Sequence, residues 1–288
     1  MPVLSRPTWL GLGAILLWGL LALLTDLTAG VPPFLLTALT FWIASAFGMA
    51  MLAARGRLQA LRQSLAAWAV GVGGLFGSHA LYFAALKNAP AAEASLIGYL
   101  WPLLIVLMSA LLPGEKLQWR QIAGAGIGFA GIIVLTLGKG GLGTAGALPL
   151  LGYLLAFLFA LVWASYSILS RQMAAVPTDA VVGFCLGTAV LATVAHLMLE
   201  PRQWPVESTQ WLGIMLLGLG PTGAAFFLWD IGMKKGDIRF LGTAAYAAPV
   251  ISTFALVLAG RAAAGWALTL ACAMIVLGAV IASRPVKT

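Results

Sequence analysis

Aromatic rings, hydroxyls and a histidine are the side chains of this sequence that could recognise a small molecule, and they lie inside long apolar stretches. Tyr82 and Phe83 follow His79 at i+3 and i+4, so the three share one face of a helix. A second stripe, at spacings of three and four, contains Trp163, Tyr166, Ser167 and Ser170. Aromatic rings stack on flat apolar groups, whereas hydroxyls and imidazole exchange hydrogen bonds with polar ones. These stripes predict reversible binding rather than bond-making chemistry.

Nine side chains are predicted to line a binding cavity because they lie within the apolar segments: Trp18, His79, Tyr82, Tyr99, Trp101, Trp163, Tyr166, Ser167 and Tyr246. In this interpretation the histidine and the tyrosines hold the polar end of a substrate, and the tryptophans stack on its side chain. The alternative is that the tryptophans and tyrosines form the aromatic belts of a membrane protein and that the histidine only supports packing. The deep placement of most of these residues favours the lining role.

Two prolines inside apolar segments are predicted hinges or kinks. Pro102 and Pro249 each remove a backbone donor and free the carbonyl four residues earlier, at Gly98 and Ala245. A carbonyl freed in hydrocarbon is costly, so it must face either a neighbouring helix or a wet cavity. The matched positions of the two prolines favour the cavity over a kink that only improves packing.

Charged groups within the apolar segments are few. Asp230 precedes Lys234 by four residues, and we predict an ion pair between them rather than a substrate contact. Asp26 and His196 lie near segment ends and are expected to contact water. The two cysteines have neither a CxxC spacing nor a neighbouring histidine, so we predict small core residues without a metal or disulfide role.

Motifs for other chemistries are absent from the sequence. It contains no HExxH, GxSxG or Walker P-loop, which argues against an enzyme or an ATP-driven pump and predicts no cofactor. No acid lies midway along the first apolar segment, where a pump for lipophilic cations would need a counter-ion. A pocket of rings, hydroxyls and freed carbonyls suits a zwitterion or an aromatic metabolite better.

The composition is that of a protein whose solvent is lipid. Hydrophobic residues make up 62% of the 288 residues and charged residues 8%, against about 25% charged residues in a soluble domain. Lipid allows only helices or closed barrels, and long unbroken apolar runs argue against a barrel. The predicted fold class is an all-α polytopic membrane protein. The net charge of +8 comes from scattered basic residues, so no nucleic-acid partner is predicted.

Ten apolar stretches approach the ~20 residues that a membrane-spanning helix needs. The first lacks an A-x-A-like site after it, so we expect a mature span rather than a signal peptide. The predicted spans are residues 9–27, 33–54, 65–87, 92–112, 119–138, 149–172, 180–199, 208–233, 239–259 and 265–283.

The chain repeats itself at an offset of 147 residues, the separation of Pro102 from Pro249. This pattern indicates a duplication, with residues 1–142 as the first five-helix repeat and 143–288 as the second, in one integral membrane domain. The same offset aligns Leu81 with Leu228, Tyr82 with Trp229, Lys87 with Lys234, Tyr99 with Tyr246, Trp119 with Trp266 and Gly131 with Gly278.

Lysines and arginines predict the orientation of the spans. With the N-terminus inside, twelve of the sixteen lie in inner loops and four in outer loops, which favours cytoplasmic N- and C-termini. Five helices per repeat is an odd number, so the second copy must be inverted, as in many alternating-access transporters. Small residues spaced four apart in spans five and ten are interpreted as scaffold or dimer surface, so a monomer or a homodimer is expected.

A family resemblance is carried by residues 80–134, which read ALYFAALKNAPAAEASLIGYLWPLLIVLMSALLPGEKLQWRQIAGAGIGFAGIIV. Its specific features are Lys87, Pro102, the Gly114–Glu115 pair and the glycine-rich fifth span. The chain resembles the drug/metabolite transporter superfamily, more closely its EamA-like exporters, and among them the bacterial aromatic amino acid exporters. One departure is that residues 261–262 are Arg–Ala where the second copy usually carries Gly–Glu.

The resemblance implies a central cavity lined by spans one, three, four, six, eight and nine, and efflux from the cytoplasm. We expect a multi-pass exporter of amino acids, specifically aromatic ones, in the bacterial inner membrane, working by alternating access. Its expected partners are a small-molecule substrate and the lipid bilayer. The alternatives are export of drugs or nucleobase-like metabolites through the same cavity, or a channel.

Overall fold

The structure is a computed structural model that describes residues 4–113, 117–138, 149–261 and 265–282. Every regular element within these ranges is helical, which confirms the all-α class for the part of the chain described. Three predicted features lie outside the described residues: the repeat boundary between residues 142 and 143, the Gly114–Glu115 pair, and Ala262.

Nine helices in the described ranges are long and apolar enough to cross a membrane, and a further apolar helix has 17 residues. In chain order they are α1 (Arg6–Asp26), α2 (Pro33–Ala54), α3 (Leu65–Asn88), α4 (Glu93–Leu111), α5 (Trp119–Gly138), α6 (Leu150–Gln172), α7 (Thr178–Leu199), α8 (Ser208–Lys235), α9 (Ile238–Leu258) and α10 (Trp266–Ala282). These bounds agree with a polytopic membrane protein. We call the face at which α1, α3 and α9 end the predicted outer face, and the opposite one the predicted inner face.

Several helices are interrupted, three of them next to prolines. The regular α-helix of α4 breaks at residues 99–100 and that of α9 at 245–246, in each case just before Pro102 or Pro249. Helix α8 contains a π-helical turn, Gly220–Ala224, at Pro221, which the sequence reasoning did not single out. A π turn widens the helix locally, so backbone carbonyls there become available to side chains of neighbouring helices.

Helices of the first half pack closely against helices of the second half. Along α1 and α8, Gly11 lies against Gly232, and seven residues later Trp18 donates a hydrogen bond to Pro221. The residue numbers rise on α1 while they fall on α8, so the two helices are antiparallel. The other close pairs are α2 with α7, α3 with α6, and α5 with α10.

The α5–α10 contact is made by small residues. A Cβ added to Gly124 would lie 2.5 Å from the carbonyl oxygen of Gly278, and one added to Gly131 would lie 3.3 Å from that of Ala271. The 147-residue offset carries Gly124 onto Ala271 and Gly131 onto Gly278, so it exchanges the two contacts. This internal packing agrees with the scaffold interpretation of these helix faces.

A buried carboxylate caps the start of α2. Glu200 accepts hydrogen bonds from the backbone N–H groups of Phe34 at 2.8 Å and Leu35 at 3.1 Å, and it lies 3.0 Å from Nδ1 of His196. It therefore satisfies two donors that the helix itself cannot. The expected water contact of His196 is wrong: the residue is 3% exposed, because the Glu200 carboxylate supplies its polar partner. Asp26 is exposed, as expected.

Gly124→Val is expected to lower the melting temperature of the purified protein, because its Cβ would collide with the Gly278 carbonyl. Overpacking of this kind costs about 1–3 kcal/mol. Gly126→Val is the matched control, since a Cβ at that position of the same helix meets no atom within 4 Å. Tryptophan fluorescence during heating in detergent makes the comparison, and equal melting temperatures for the two variants would contradict the packing.

Candidate functional site

A cavity of about 370 Å³ lies among α1, α3, α4, α6, α8 and α9, the six helices that the family resemblance implied. Six of the nine predicted lining residues form part of its wall, and so does Pro249. The six are Trp18, His79, Tyr82, Tyr99, Trp101 and Trp163.

The cavity runs from the middle of the helices toward the predicted outer face. Tyr82 and Ser95 lie in the halves of α3 and α4 nearer that face, and Ser252 does the same on α9. The predicted inner halves of α4 and α9 are packed together instead. A Cβ added to Gly242 on α9 would lie 3.0 Å from the side chain of Val106 on α4. Among the described residues, the cavity lining therefore lies toward the predicted outer face, and α4 and α9 are in contact on the predicted inner side.

A layer of rings closes the inner end of the cavity. Trp18 is at its centre, with ring centroids 5.1 to 6.3 Å from four other rings, mostly edge to face. We call this layer the aromatic floor, and it consists of Trp18, Trp101, Trp163, Phe226 and Trp229. Trp229 is fully buried and completes the layer from behind, whereas the other four rings line the cavity.

Two indole N–H groups anchor the aromatic floor. The Nε1 of Trp18 donates to the carbonyl of Pro221 at 3.0 Å, which lies in the π turn of α8. The Nε1 of Trp229 donates to Oγ of Ser167 at 3.1 Å, and that hydroxyl donates to the carbonyl of Trp163 at 3.0 Å. Each buried indole donor thus has an acceptor, which holds the ring at a defined angle.

The polar groups of the wall come mainly from α3 and α4. Nδ1 of His79 lies 2.7 Å from the carbonyl of Leu75. Because a carbonyl only accepts, Nδ1 must carry a hydrogen, and Nε2 of the neutral ring is then an acceptor. The hydroxyl of Tyr82 lies 3.0 Å from Oγ of Ser95, so this contact joins the two helices across the cavity wall.

Four predicted site residues lie outside the cavity. Ser167 is behind the aromatic floor, and Tyr166 packs against Gly74 on α3. Tyr246 is fully buried between α9 and α5, where its ring contacts Phe129 and the backbone of Gly128. Pro102 is buried at the α4–α9 crossing.

Sequence reasoning missed several lining residues. Phe159 lies one turn before Trp163 on the same face of α6, so helical spacing from the tryptophan could have identified it. Thr222 follows Pro221, and a proline inside an apolar segment was the available signal. Ser95, Phe226 and Ser252 carry no local signal that separates them from packing residues.

Charged side chains are kept out of the cavity. Within the described part of the chain, no aspartate, glutamate, lysine or arginine lines it, and no cluster of His, Cys, Asp or Glu there could hold a metal ion. The predicted ion pair is confirmed. Lys234 Nζ lies 2.8 Å from Asp230 Oδ2, and both side chains are buried, at 5% and 2% exposure.

The sequence model of the EamA-like transporter family matches the chain twice, over residues 6–137 and 150–284. The chain belongs to the EamA-like transporter family. With its membrane-length helices, this transporter is a multi-pass membrane protein, and its family implies a small-molecule substrate.

Relatives of this EamA-like transporter match it over most of their length. The aromatic amino acid exporter YddG of Ancylobacter novellus is 55% identical over 282 residues, which cover 97% of each chain. The aromatic amino acid exporter YddG of Salmonella typhimurium is 28% identical, over 86% of this chain and 87% of the relative. A crystal structure with 55% sequence identity matches with a TM-score of 0.93 and covers 97% of both chains.

Ser167→Ala is expected to destabilise the EamA-like transporter, because the buried Nε1 of Trp229 would lose its acceptor. An unsatisfied buried donor costs about 1–3 kcal/mol. Ser45→Ala removes the same hydroxyl from a buried serine that bonds only back to Trp42 on its own helix turn, at 3.0 Å, so no donor is stranded. Melting temperatures in detergent compare the two, and a drop no larger for Ser167→Ala than for the control would argue against the anchor.

Proposed function

We propose that this EamA-like transporter exports aromatic amino acids from the cytoplasm across the bacterial inner membrane. The observation that carries the proposal is a cavity with an aromatic floor and hydroxyl and imidazole groups on its wall. An aromatic side chain would stack on the floor, while His79, Tyr82 and Ser95 would bind the polar end. The 55% identity to a relative named as an aromatic amino acid exporter supports the same substrate class.

We also propose ten spans in two inverted repeats, residues 1–142 and 143–288, with both termini in the cytoplasm. The family model matches once in each half, which supports the duplication. The exchange of the Gly124–Gly278 and Gly131–Ala271 contacts by the repeat offset is what a two-fold axis between antiparallel helices would produce. The excess of basic residues in the inner loops supports the orientation.

We propose alternating access as well, and a difference between the two ends of the α4–α9 pair supports it. On the predicted inner side, a Cβ added to Gly242 would lie 3.1 Å from Ile105, so the helices touch. The repeat offset carries Gly242 onto Ser95 and Ile105 onto Ser252, and both serines lie on the cavity wall. An exchange of these two arrangements would close the outer side and open the inner side.

A second candidate function is export of drugs or nucleobase-like metabolites. The neutral lining of the described cavity favours this candidate. An uncharged flat molecule can be buried there without a charged side chain to pair with, whereas burial of an unpaired charge is costly. The substrate profile separates the two candidates. Phenylalanine, tyrosine and tryptophan should compete with one another for transport under the first proposal, whereas under the second they would not inhibit the transport of other flat compounds.

Trp163→Ala is expected to raise the apparent KM for labelled phenylalanine, tyrosine and tryptophan by about 2- to 10-fold, since a ring contact is worth about 0.5–1.5 kcal/mol. Proteoliposomes preloaded with unlabelled amino acid measure the exchange, and trans-stimulation distinguishes a carrier from a channel. Trp119→Ala is the matched control because that ring is 72% exposed at the start of α5. Equal apparent KM values for the two variants would contradict stacking on the aromatic floor.

The proposed inversion predicts that two lysine positions lie on opposite sides of the membrane. In a background of Cys185→Ala and Cys272→Ala, Lys87→Cys should react with a membrane-impermeant maleimide in intact spheroplasts. Lys235→Cys should react only after permeabilisation. Both lysines are exposed at the ends of α3 and α8, so accessibility within the protein does not differ. Labelling of both positions in intact spheroplasts would contradict the inversion.

A further inference from the structure

A second, much smaller cavity lies on the inner side of the aromatic floor. It measures about 10 Å³ and is walled by residues of α3, α6, α7 and α8, including Tyr166, Ser170, Asp230 and Lys234. Asp230 lies four residues after Phe226 on α8, about 6 Å along the helix at 1.5 Å per residue. The aromatic floor therefore separates two cavities. The outer one has a neutral lining, and the smaller inner one is lined by an aspartate and a lysine.

The charges of this inner cavity are fully engaged in the closed arrangement. The Asp230 carboxylate accepts hydrogen bonds from Lys234 Nζ at 2.8 Å and from the Thr178 hydroxyl at 2.6 Å. The Lys234 ammonium also donates to the carbonyl of Val176 at 2.8 Å. Beside it, Arg171 on α6 donates to the carbonyls at the end of α8. These bonds tie α8 to the ends of α6 and α7.

The repeat relates this inner cavity to the outer one. The 147-residue offset carries Phe83 onto Asp230. Phe83 lines the outer cavity, whereas its counterpart Asp230 lines the inner one. The inner cavity thus occupies the place that would widen if the two halves exchanged their arrangements, and there an acid takes the position of a phenylalanine.

We infer that Asp230 and Lys234 form the inner recognition site for the zwitterionic end of the substrate, an inference that rests on the proposed function. In the closed state the two side chains satisfy each other. When the inner side opens, the Lys234 ammonium binds the substrate α-carboxylate and the Asp230 carboxylate binds the substrate α-ammonium. The ligand class is an α-amino acid with both charges, and the exchange is one of hydrogen bonds without any covalent step.

Physical chemistry favours this ligand class. A movement of α8 that opens the inner side would take the Thr178 hydroxyl from Asp230 and the Val176 carbonyl from Lys234, since both partners lie outside α8. A charge that loses a partner in a medium of low dielectric constant is costly. A zwitterion restores a partner to both charges at once, whereas a compound with one charge restores a partner to only one of them. A ligand that carries both charges therefore stabilises the open inner side more than one that carries a single charge, and its differential affinity sets how far the equilibrium shifts.

The test measures discrimination rather than activity alone. Inside-out vesicles present the predicted inner face to added phenylalanine, phenethylamine and 3-phenylpropionate as competitors of labelled phenylalanine. In Lys234→Met, the preference for phenylalanine over phenethylamine should fall about tenfold, because the carboxylate loses its partner. In Asp230→Asn, the preference over 3-phenylpropionate should fall by a similar factor. Lys87→Met, at the exposed counterpart of Lys234, is the matched control and should keep the wild-type ratios.

Loss of one buried charge can prevent folding, so the exchanged pair Asp230→Lys with Lys234→Asp is measured as well. It retains both charges and should retain discrimination near the wild-type ratios. If the single variants lose uptake uniformly but keep the wild-type preferences for phenylalanine over phenethylamine and 3-phenylpropionate, the inference is overturned. The ion pair would then have only a structural role. Loss of discrimination in a folded exchanged pair would overturn the inference as well. If the wild-type protein transports flat compounds but no amino acid, the proposed function fails first and the inference falls with it.

Discussion

The structure depends on close backbone contact between helices of opposite halves. Lipid supplies no hydrophobic force that would push apolar helices together, so packing and hydrogen bonds must do it. Gly11 against Gly232 and Gly124 against Gly278 let antiparallel helices approach until backbone atoms touch. Because these contacts join the halves, the cavity between them has walls from both. A binding site at such a junction changes shape whenever the halves shift relative to each other.

A second constraint is that each polar group in the spans needs a partner inside the protein. The Pro221 carbonyl accepts from Trp18, and Ser167 accepts from Trp229. Pro221 and Ser167 therefore position the rings of Trp18 and Trp229. The floor is built from this network, and its stability comes from hydrogen bonds behind the cavity as well as from ring contacts at its surface.

The sequence alone predicts the helices well, because their length and apolar composition are local properties. It also predicts six wall residues from depth and type. Two tyrosines show the limit of prediction from depth and residue type, in which Tyr246 and Tyr166 do not differ from Tyr99. Tyr246 packs against Gly128 and Tyr166 against Gly74. Tyr99, in contrast, faces the cavity. Which face of a helix meets a neighbour depends on partners far along the chain. The spacing of residues within one span therefore does not predict which face of that helix meets a neighbour.

The polar partners of buried ions were predictable only when they lay on the same helix. The pair of Asp230 with Lys234 follows the i+4 rule, so the sequence predicts it. Glu200 reaches the N-terminus of α2 from the end of α7, a contact between residues 165 and 166 positions apart. Such a cap has no sequence signature. His196, four residues before Glu200, lies 3.0 Å from the same carboxylate and is buried beside it rather than at the surface.

The capped junction of α2 and α7 has a mechanical consequence. Glu200 fastens the two helices near the predicted outer face, Trp42 bonds Thr193 partway along, and Arg57 lies 3.0 Å from Asp179 at the other end. Two helices that are joined at three points along their length are expected to move as one rigid unit. Within the described ranges neither helix lines the outer cavity, although Phe184 of α7 lines the inner one. The α2–α7 pair is therefore a rigid support beside the helices that line the outer cavity.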